Sequence, residues 1–518
     1  MSGTVRSLLP PLVLTALALV AAGCTGGPTQ SAEGTPDGSS IVLADPEEPT
    51  SLNPLLGYGR GGVSKIYDGL VEHRADGSVR PQLAAEPPEP AADGLSWTVT
   101  LREGVTFADG TTFGPEDVLA TYRALLDPAT GSTERAGYAG LTGVEQLDVH
   151  TVRFTLAHTW AAFPHLLTLG ILPSEALGVP LADVRPVGTG PYKLVEWKKG
   201  DRMVLEANAS HFAGEPRIRK LTVVFVPDDN TRAQRMRAGE FDGAELPPRL
   251  ADESDGDGLR VITHRSADLR SVTLPTGPVT GDGAIRMALN HAVDRRGLVD
   301  GLLGGKGSPA STPVPDALPE FLDPDAEFPH DEVLANLLLD QAGWARGADG
   351  VRVRDGVPAR FTLMYPLGDA VRADLATAFA ADAKAVGVDV QLAGLGREAI
   401  AGRLGADALL HGGGSPFDPD PTTYPVLHTG NPWGYSNPRV DAALDTGRTL
   451  LDPAQRAAAY KQFQRAYLAS PGMVVLASVQ HAYVVRENWT GYQPVVDPHV
   501  HGALSWGPWW NLEKWAPR

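Results

Sequence analysis

Apolar and polar positions along this chain switch between two periods, and each predicts an element. Ile41-Val42-Leu43-Ala44 is a short unbroken apolar run, which predicts a buried strand that opens the folded part. Trp97 to Arg102 alternates apolar and polar residues, the pattern of a half-buried strand, and Asp109-Gly110 then turns the chain. Pro115 stands as a first helical residue, with Val118, Leu119, Tyr122 and Leu125 recurring behind it at helical spacing. Met203 to Leu205 and Leu221 to Val226 read as strands, the second apolar on both faces and therefore central. Thr231 to Glu240 reads as a polar helix. Asp331 caps a helix carrying Val333, Leu334, Leu337, Leu338 and Trp344. Val371, Leu375, Phe379, Ala383 and Val386 line one helical face, Gly387 stops that helix, and Val388 to Leu392 comes next as a strand. Asp452-Pro453-Ala454-Gln455 joins an N-cap acid, an N1 proline and a capping-box Gln, and Ala459, Phe463 and Tyr467 form the stripe behind it.

Two stretches organise the rest. In Val187-Gly188-Thr189-Gly190-Pro191-Tyr192-Lys193-Leu194, glycines let the backbone turn where a Cβ would clash and Pro191 fixes φ for the exit. The chain from about Leu70 to this point reads as an excursion, and the residues after it read as a return to a larger sheet. At the other stretch, Arg6, an apolar run from Leu8 to Ala22 and Ala21-Ala22-Gly23 precede Cys24, the one cysteine. This pattern predicts a lipoprotein signal peptide over residues 1–23, with cleavage before a lipid-bearing Cys24. Pro10-Pro11 interrupts a run already too short to span a bilayer. Residues 24–40 are a polar, glycine- and serine-rich tether with an r.m.s. reach of roughly 22 Å.

Composition narrows the function. At 518 residues, 42% hydrophobic and 20% charged, the chain predicts a soluble protein of two or three domains. A net charge of −18 without basic clusters argues against nucleic acid as a partner. One cysteine leaves no internal disulfide and no Cys-based metal site. Gly57-Tyr58-Gly59-Arg60-Gly61-Gly62 lacks the Lys-Ser/Thr ending of a phosphate loop, and Gly394 to Ala399 is a lone dinucleotide fingerprint without its acid. The acids of Ala251 to Gly258 do not have calcium-loop spacing, and His291 stands alone on its helix as a structural residue. A secreted hydrolase is the competing class, yet neither a Gly-x-Ser-x-Gly elbow nor a His-Glu-x-x-His motif is present. Asp418 and Asp420 form a carboxylate pair that by itself proves no glycosidase chemistry.

Leu52-Asn53-Pro54, Tyr67-Asp68-Gly69-Leu70, Leu101 to Gly110 with Phe113 and Glu116-Asp117-Val118, Gly188 to Tyr192, Gly239 to Asp242, Ile285 to Arg295, Ala342-Gly343-Trp344 and Tyr435 to Asp441 follow one another along the chain. In this order they resemble the family 5 extracytoplasmic solute-binding proteins, which serve oligopeptide, dipeptide and nickel ABC importers. The resemblance covers nearly all of residues 41–495. It implies an α/β fold of the periplasmic-binding-protein type II kind, cluster C, with two lobes and an extra inserted domain. Domain I would comprise residues 41–72, 187–275 and 490–518, domain II 73–186 and domain III 276–489. A solute, with a peptide as the first expectation, would lie between the lobes and pass to a membrane permease and its ATPase, the binding protein acting as a monomer without a cofactor. Nickel complexes, haem and oligosaccharides are the alternative solutes, and a sensor lipoprotein without transport is a further alternative.

The pocket-facing stretch expected from the resemblance is His411-Gly412-Gly413-Gly414-Ser415-Pro416-Phe417-Asp418-Pro419-Asp420. Its glycines allow close backbone approach, and a carboxylate suits an α-ammonium group. Aligned on Asp418-Pro419-Asp420, the family's amine-binding aspartate falls at Ser415, so either Asp418 substitutes for it or the solute has no free amine there. His411, Gly414, Ser415 and Asp418 are therefore candidate ligand contacts, together with the aromatic residues Tyr58, Tyr424, Trp433 and Tyr435. His411 and His428 are single histidines on separate segments and are read as structural, with no metal assigned. The tryptophan-rich Leu504 to Trp515 is expected to pack back onto domain I.

Overall fold

The computed structural model describes residues 39–62, 64–499 and 502–518. The expected signal segment, Cys24 and the tether as far as residue 38 lie outside the described residues. The apolar run at the start of the folded part forms the strand Ser40–Asp45, which pairs in parallel with Lys220–Phe225 on one side and Gly243–Leu246 on the other. Seven strands join there in the order Leu259–His264, His481–Arg486, Gly243–Leu246, Ser40–Asp45, Lys220–Phe225, Arg202–Ala207 and Tyr192–Lys198. Lys220–Phe225 is interior, as its apolar run predicts: Leu221 and Val223 enter the large core, and Val224 packs into a smaller one on the opposite face.

The excursion carries its own antiparallel sheet, in the order Glu89–Pro90, Ser96–Thr100, Thr151–Leu156 and Leu141–Gln146. The helix Pro115–Leu126 buries Val118, Tyr122 and Leu125 in the same core as these strands, and its start is fixed by the Asp117 carboxylate accepting the Gly114 N–H at 2.9 Å. The chain returns through the glycine stretch because no side chain fits there. A Cβ on Gly188 would lie 2.1 Å from the Ile66 carbonyl oxygen, and Thr189 Oγ1 donates to Asp68 at 2.9 Å.

The second lobe is built on six strands, in the order Gly307–Pro309, Met473–Val479, Leu269–Thr273, Ala408–Gly413, Arg360–Pro366 and Asp389–Leu395. Helix Ala370–Ala385 is the crossover between two parallel strands and buries Leu375, Phe379 and Ala383 on the sheet. Helix Pro453–Ala469 begins where its capping residues predict and buries Ala459, Phe463 and Tyr467. Helix Glu332–Gln341 is capped by Asp331, but its buried face is a different one: Val333 is 81% exposed and Leu337 48%, while Ala335 and Leu339 are buried. Ala335 and Leu339 enter the same core as helix Gly283–Ala292, and Trp344 joins them, while Val333 and Leu337 face outward.

Two expected borders need correction. Leu269–Thr273 belongs to the second sheet although the border was expected after residue 275, and His481–Arg486 belongs to the first although the border was expected after 489. The chain passes between lobes at residues 264–269 and 479–481, straight from strand to strand, with no glycine or proline to mark the crossing. The C-terminal tryptophans pack on the first lobe as expected. Trp506, Trp509 and Trp515 are each 1% exposed, a Cβ on Gly243 would lie 2.1 Å from Trp509, and the buried Lys65 ammonium donates to the carbonyls of Trp509 and Trp510 at 2.6 and 3.0 Å. Among the described residues no helix is long and apolar enough to cross a membrane.

Candidate functional site

The two crossings lie side by side and are tied to each other. Val479 N–H donates to Asp268 O and Ser478 Oγ donates to Ser266 O, both at 2.9 Å, while Ser266 Oγ donates to Val479 O. A third segment joins them: Ala267 N–H donates to Asp497 O at 2.7 Å and Asp497 N–H to Arg265 O at 3.0 Å. Their side chains form a buried charge network. His481 bridges Asp268 and Asp497 at 3.1 and 3.2 Å, His264 lies 3.0 Å from Asp497, Tyr483 Oη donates to Asp497 at 2.7 Å, and His499 lies 2.8 Å from Asp268. Burial alone would lower the His481 pKa, but the hydrogen bonds to both carboxylates outweigh it and raise it to about 9, so the ring is cationic at neutral pH. Burial opposes ionisation of Asp268 and Asp497 too; Arg270 and His499 for the first, and His264 and His481 for the second, hold both below the usual carboxylate range.

Against this joint runs the strand end that carries the expected pocket residues. A Cβ on Gly414, at φ +144°, would fall 1.7 Å from the Ala267 carbonyl oxygen, and one on Gly412 would fall 2.2 Å from both Arg270 Nη1 and the His499 ring. Both glycines thus admit the protein's own joint, a different use from the ligand approach expected of them. His411 is half-buried beside Trp433, at 6.4 Å between ring centroids, and its Nδ1 has no hydrogen-bond partner among the described residues. Burial, then the nearby His499, Arg372 and Arg270, lower its pKa to about 4, so it is neutral. Ser415 Oγ accepts the Phe417 N–H at 3.2 Å and shapes the turn.

Asp418 does not serve as a substitute amine anchor. It is 2% exposed and its two oxygens are gripped by the Arg456 guanidinium, one at 2.7 Å, so its charge is already neutralised inside the second lobe. Tyr435 and Tyr424 also leave the candidate group. Tyr435 is a core residue whose hydroxyl donates to Ser470 O at 2.7 Å, with burial raising its pKa to about 12. Tyr424, partly buried, has the Arg448 guanidinium 3.3 Å from its ring centroid, His428 stacked on it at 4.2 Å and its hydroxyl donating to Asp445 at 3.0 Å, so it is engaged within the second lobe. Tyr58 is 7% exposed in the first-lobe core, edge-on to Tyr67 at 6.1 Å. The structure therefore brings together His411, Trp433, Gly414 and Ser415, and places Asp418, Tyr424, Tyr435 and Tyr58 in supporting roles.

Sequence reasoning missed the place where the lobes meet. The turn after Ser415 touches the first lobe along a continuous seam. The Phe417 ring lies parallel to the His73 ring, at 3.5 Å between centroids and 2° between planes, with Trp506 edge-on to Phe417 at 5.0 Å. His73 lies 2.7 Å from Gly61 O and 3.0 Å from His165 Nδ1. Burial, then His165, lower its pKa to about 3, so the ring is neutral; Nδ1 donates to the carbonyl and Nε2 accepts from His165. Farther along, Trp160 Nε1 donates to Asp420 at 2.9 Å, and Arg448 holds the same carboxylate at 2.9 and 3.0 Å. Ala161 N–H donates to Arg448 O at 2.9 Å. The signals were present in part: Phe417 comes soon after three glycines, and Asp420 is the second acid of a carboxylate pair.

Two α/β lobes, joined by paired strand crossings and meeting again at a separate seam, define a type II bilobal binding protein. The description "Bacterial extracellular solute-binding proteins, family 5 Middle" matches residues 78–434, and the chain belongs to that family. It is 42% identical over 490 residues to Protein XP55 of Streptomyces lividans, covering 92% of this chain and 90% of that one. Among solved structures it resembles NikZ from Campylobacter jejuni in complex with Ni(L-His), at TM-score 0.84 and 26% identity, over 92% of this chain and 99% of that one. It also resembles the oligopeptide-binding protein AppA from Bacillus subtilis in complex with a nonapeptide, at TM-score 0.80 and 25% identity, with the same coverages.

Proposed function

We propose that this chain is the capture component of an ABC importer, held outside the cytoplasmic membrane by a lipid on Cys24, and that it takes a peptide between its lobes and hands it to a permease. The observation that carries the reading is the pairing of a joint with a seam. Among the described residues the chain passes between the lobes at 264–269 and 479–481, and the lobes touch again through side chains at Phe417 and Asp420, so they can part and close about the joint. Pairing with Arg360–Pro366 stops at Leu409, so beyond it one edge of the partly buried end of Ala408–Gly413 suits main-chain hydrogen bonding to an extended peptide. Since Asp418 is consumed by Arg456 and Ser415 is neutral, the peptide's ammonium group is not anchored at that position.

A second reading, a nickel complex of an amino acid, is supported by one feature: the neutral His411 with its unpartnered Nδ1 beside Trp433. Thermal unfolding of the protein with peptide pools, with nickel plus histidine, and with haem separates the two. A solute at one hundred times its dissociation constant adds about 2.7 kcal/mol of stability. Stabilisation by peptides that survives acetylation of their amino ends supports the first reading. A response to nickel plus histidine alone replaces it with the second.

A further inference from the structure

We infer that the first lobe holds a second ligand site, apart from the cleft between the lobes, and that its ligand is a small sugar acid, a carboxylate on a carbon chain bearing hydroxyl groups. A cavity of about 560 Å³ lies among the strand pair Val71–His73 and Val79–Pro81, the loop 211–217 and the C-terminal residues 510–514. Its lining residues all belong to the first lobe, and its size is within the roughly 300–1,000 Å³ of small-molecule pockets.

Three polar atoms of its lining side chains are buried with no hydrogen-bond partner among the described residues: Arg80 Nε, His211 Nε2 and Gln82 Oε1. Buried polar atoms are ordinarily paired, so three orphans around one cavity point to a ligand. Their side chains are fixed by other contacts. The Arg80 guanidinium pairs across the two strands with Glu72 at 2.6 Å, Gln82 Nε2 donates to Asp68 at 2.5 Å, and His211 Nδ1 lies 3.3 Å from Gly214 O. The His211 side chain is 7% exposed, and its Nε2 stands 3.7 Å from Asp68, near enough for charge attraction and too far for a hydrogen bond. Burial opposes a charge on this ring, but Asp68 outweighs it and raises the pKa, which favours the cation with an N–H on each nitrogen.

Two orphan donors and one orphan acceptor describe the ligand. Asp68 adjoins both Gln82 and His211, and Arg80 precedes Gln82 by two residues, so the three share one wall. The two donors match the two oxygens of a carboxylate. A dianion would turn its second charge toward Asp68, Glu72, Glu215 and Glu513, which also line the cavity. Gln82 Oε1 calls for a donor, and a hydroxyl supplies one without setting an ammonium beside the His211 cation. Glu215 and Glu513 can accept from further hydroxyls, while Phe212 and Trp510 add aromatic surface for the carbon chain.

Calorimetric titration of the intact protein with gluconate, hexanoate and glucose, a six-carbon set, tests the site. Gluconate is expected to bind at least about tenfold more tightly than the other two, since hexanoate lacks the hydroxyls and glucose the carboxylate. His211→Asn and Arg80→Lys each remove one orphan donor, the second while keeping the charge that pairs with Glu72, and each is expected to weaken gluconate by about tenfold. Arg80→Lys keeps the test decisive should His211→Asn fail to fold. Equal binding of hexanoate or glucose, or no binding of gluconate, overturns the sugar-acid site. Gluconate binding undiminished in the folded variants places that ligand elsewhere and overturns it as well.

Discussion

The joint and the seam both connect the lobes through carboxylates, histidines and aromatic rings, yet they are built on opposite plans. At the joint, continuous backbone carries the connection, and every carboxylate is held from several sides: Asp497 by His264, His481 and Tyr483, and Asp268 by Arg270, His481 and His499. At the seam the lobes meet through the Phe417–His73 ring stack with Trp506 edge-on to it, one indole hydrogen bond and one backbone hydrogen bond. The Asp418–Arg456 and Asp420–Arg448 pairs lie wholly within the second lobe, so parting the lobes leaves neither carboxylate without its guanidinium. The difference shows how a hinged protein divides its polar groups. The charges that must never be exposed unpaired are satisfied within one lobe or at the joint, and only modest interactions are left to be made and broken.

The largest expected effect breaks the support behind the seam. Arg456→Met leaves Asp418 charged, buried and unpaired, and is expected to lower unfolding stability by about 3–5 kcal/mol in chemical denaturation. A smaller loss at the same pairing would mean that water reaches Asp418. Next comes the joint's response to pH. The His481 pKa is raised to about 9, above an unfolded value of about 6.5, so its contribution is complete below about 6.5 and is lost as pH rises through about 9. The melting temperature is expected to fall across that window, by less than a full loss of the network because the Arg270 guanidinium still faces Asp268. A His481→Gln variant should show a flatter profile there; an unchanged slope would place the titrating group elsewhere. The smallest effect belongs to the seam itself. Trp160→Phe removes one hydrogen bond to a carboxylate already held by Arg448, worth about 1 kcal/mol, so solute binding should weaken by about fivefold. A loss beyond tenfold would show that the seam holds more than its visible contacts.

Local rules were legible in the sequence where local physics decides. The caps at Asp331 and Asp452, the buried strand at Ile41, and glycines 188 and 190 stand as their neighbours predict. Long-range pairing was not legible. Asp418 looked free because its partner lies on a helix far along the chain, and Phe417 and His73 come from separate lobes, so no spacing rule joins them. The crossings were misplaced for a related reason: strands that run straight from one sheet to the next carry no turn residues. The outward face of Glu332–Gln341 was misread because the small Ala335 carries little apolar signal beside Val333 and Leu337, yet it is Ala335, with Leu339, that is buried.

Capture by closure about the joint is most directly tested by X-ray scattering of the protein with and without a saturating tripeptide pool. The radius of gyration is expected to decrease on binding in wild-type protein, as the turn bearing Phe417 and Asp420 docks on the first lobe. Saturable binding with no change in the radius of gyration would contradict closure about the joint as the means of capture.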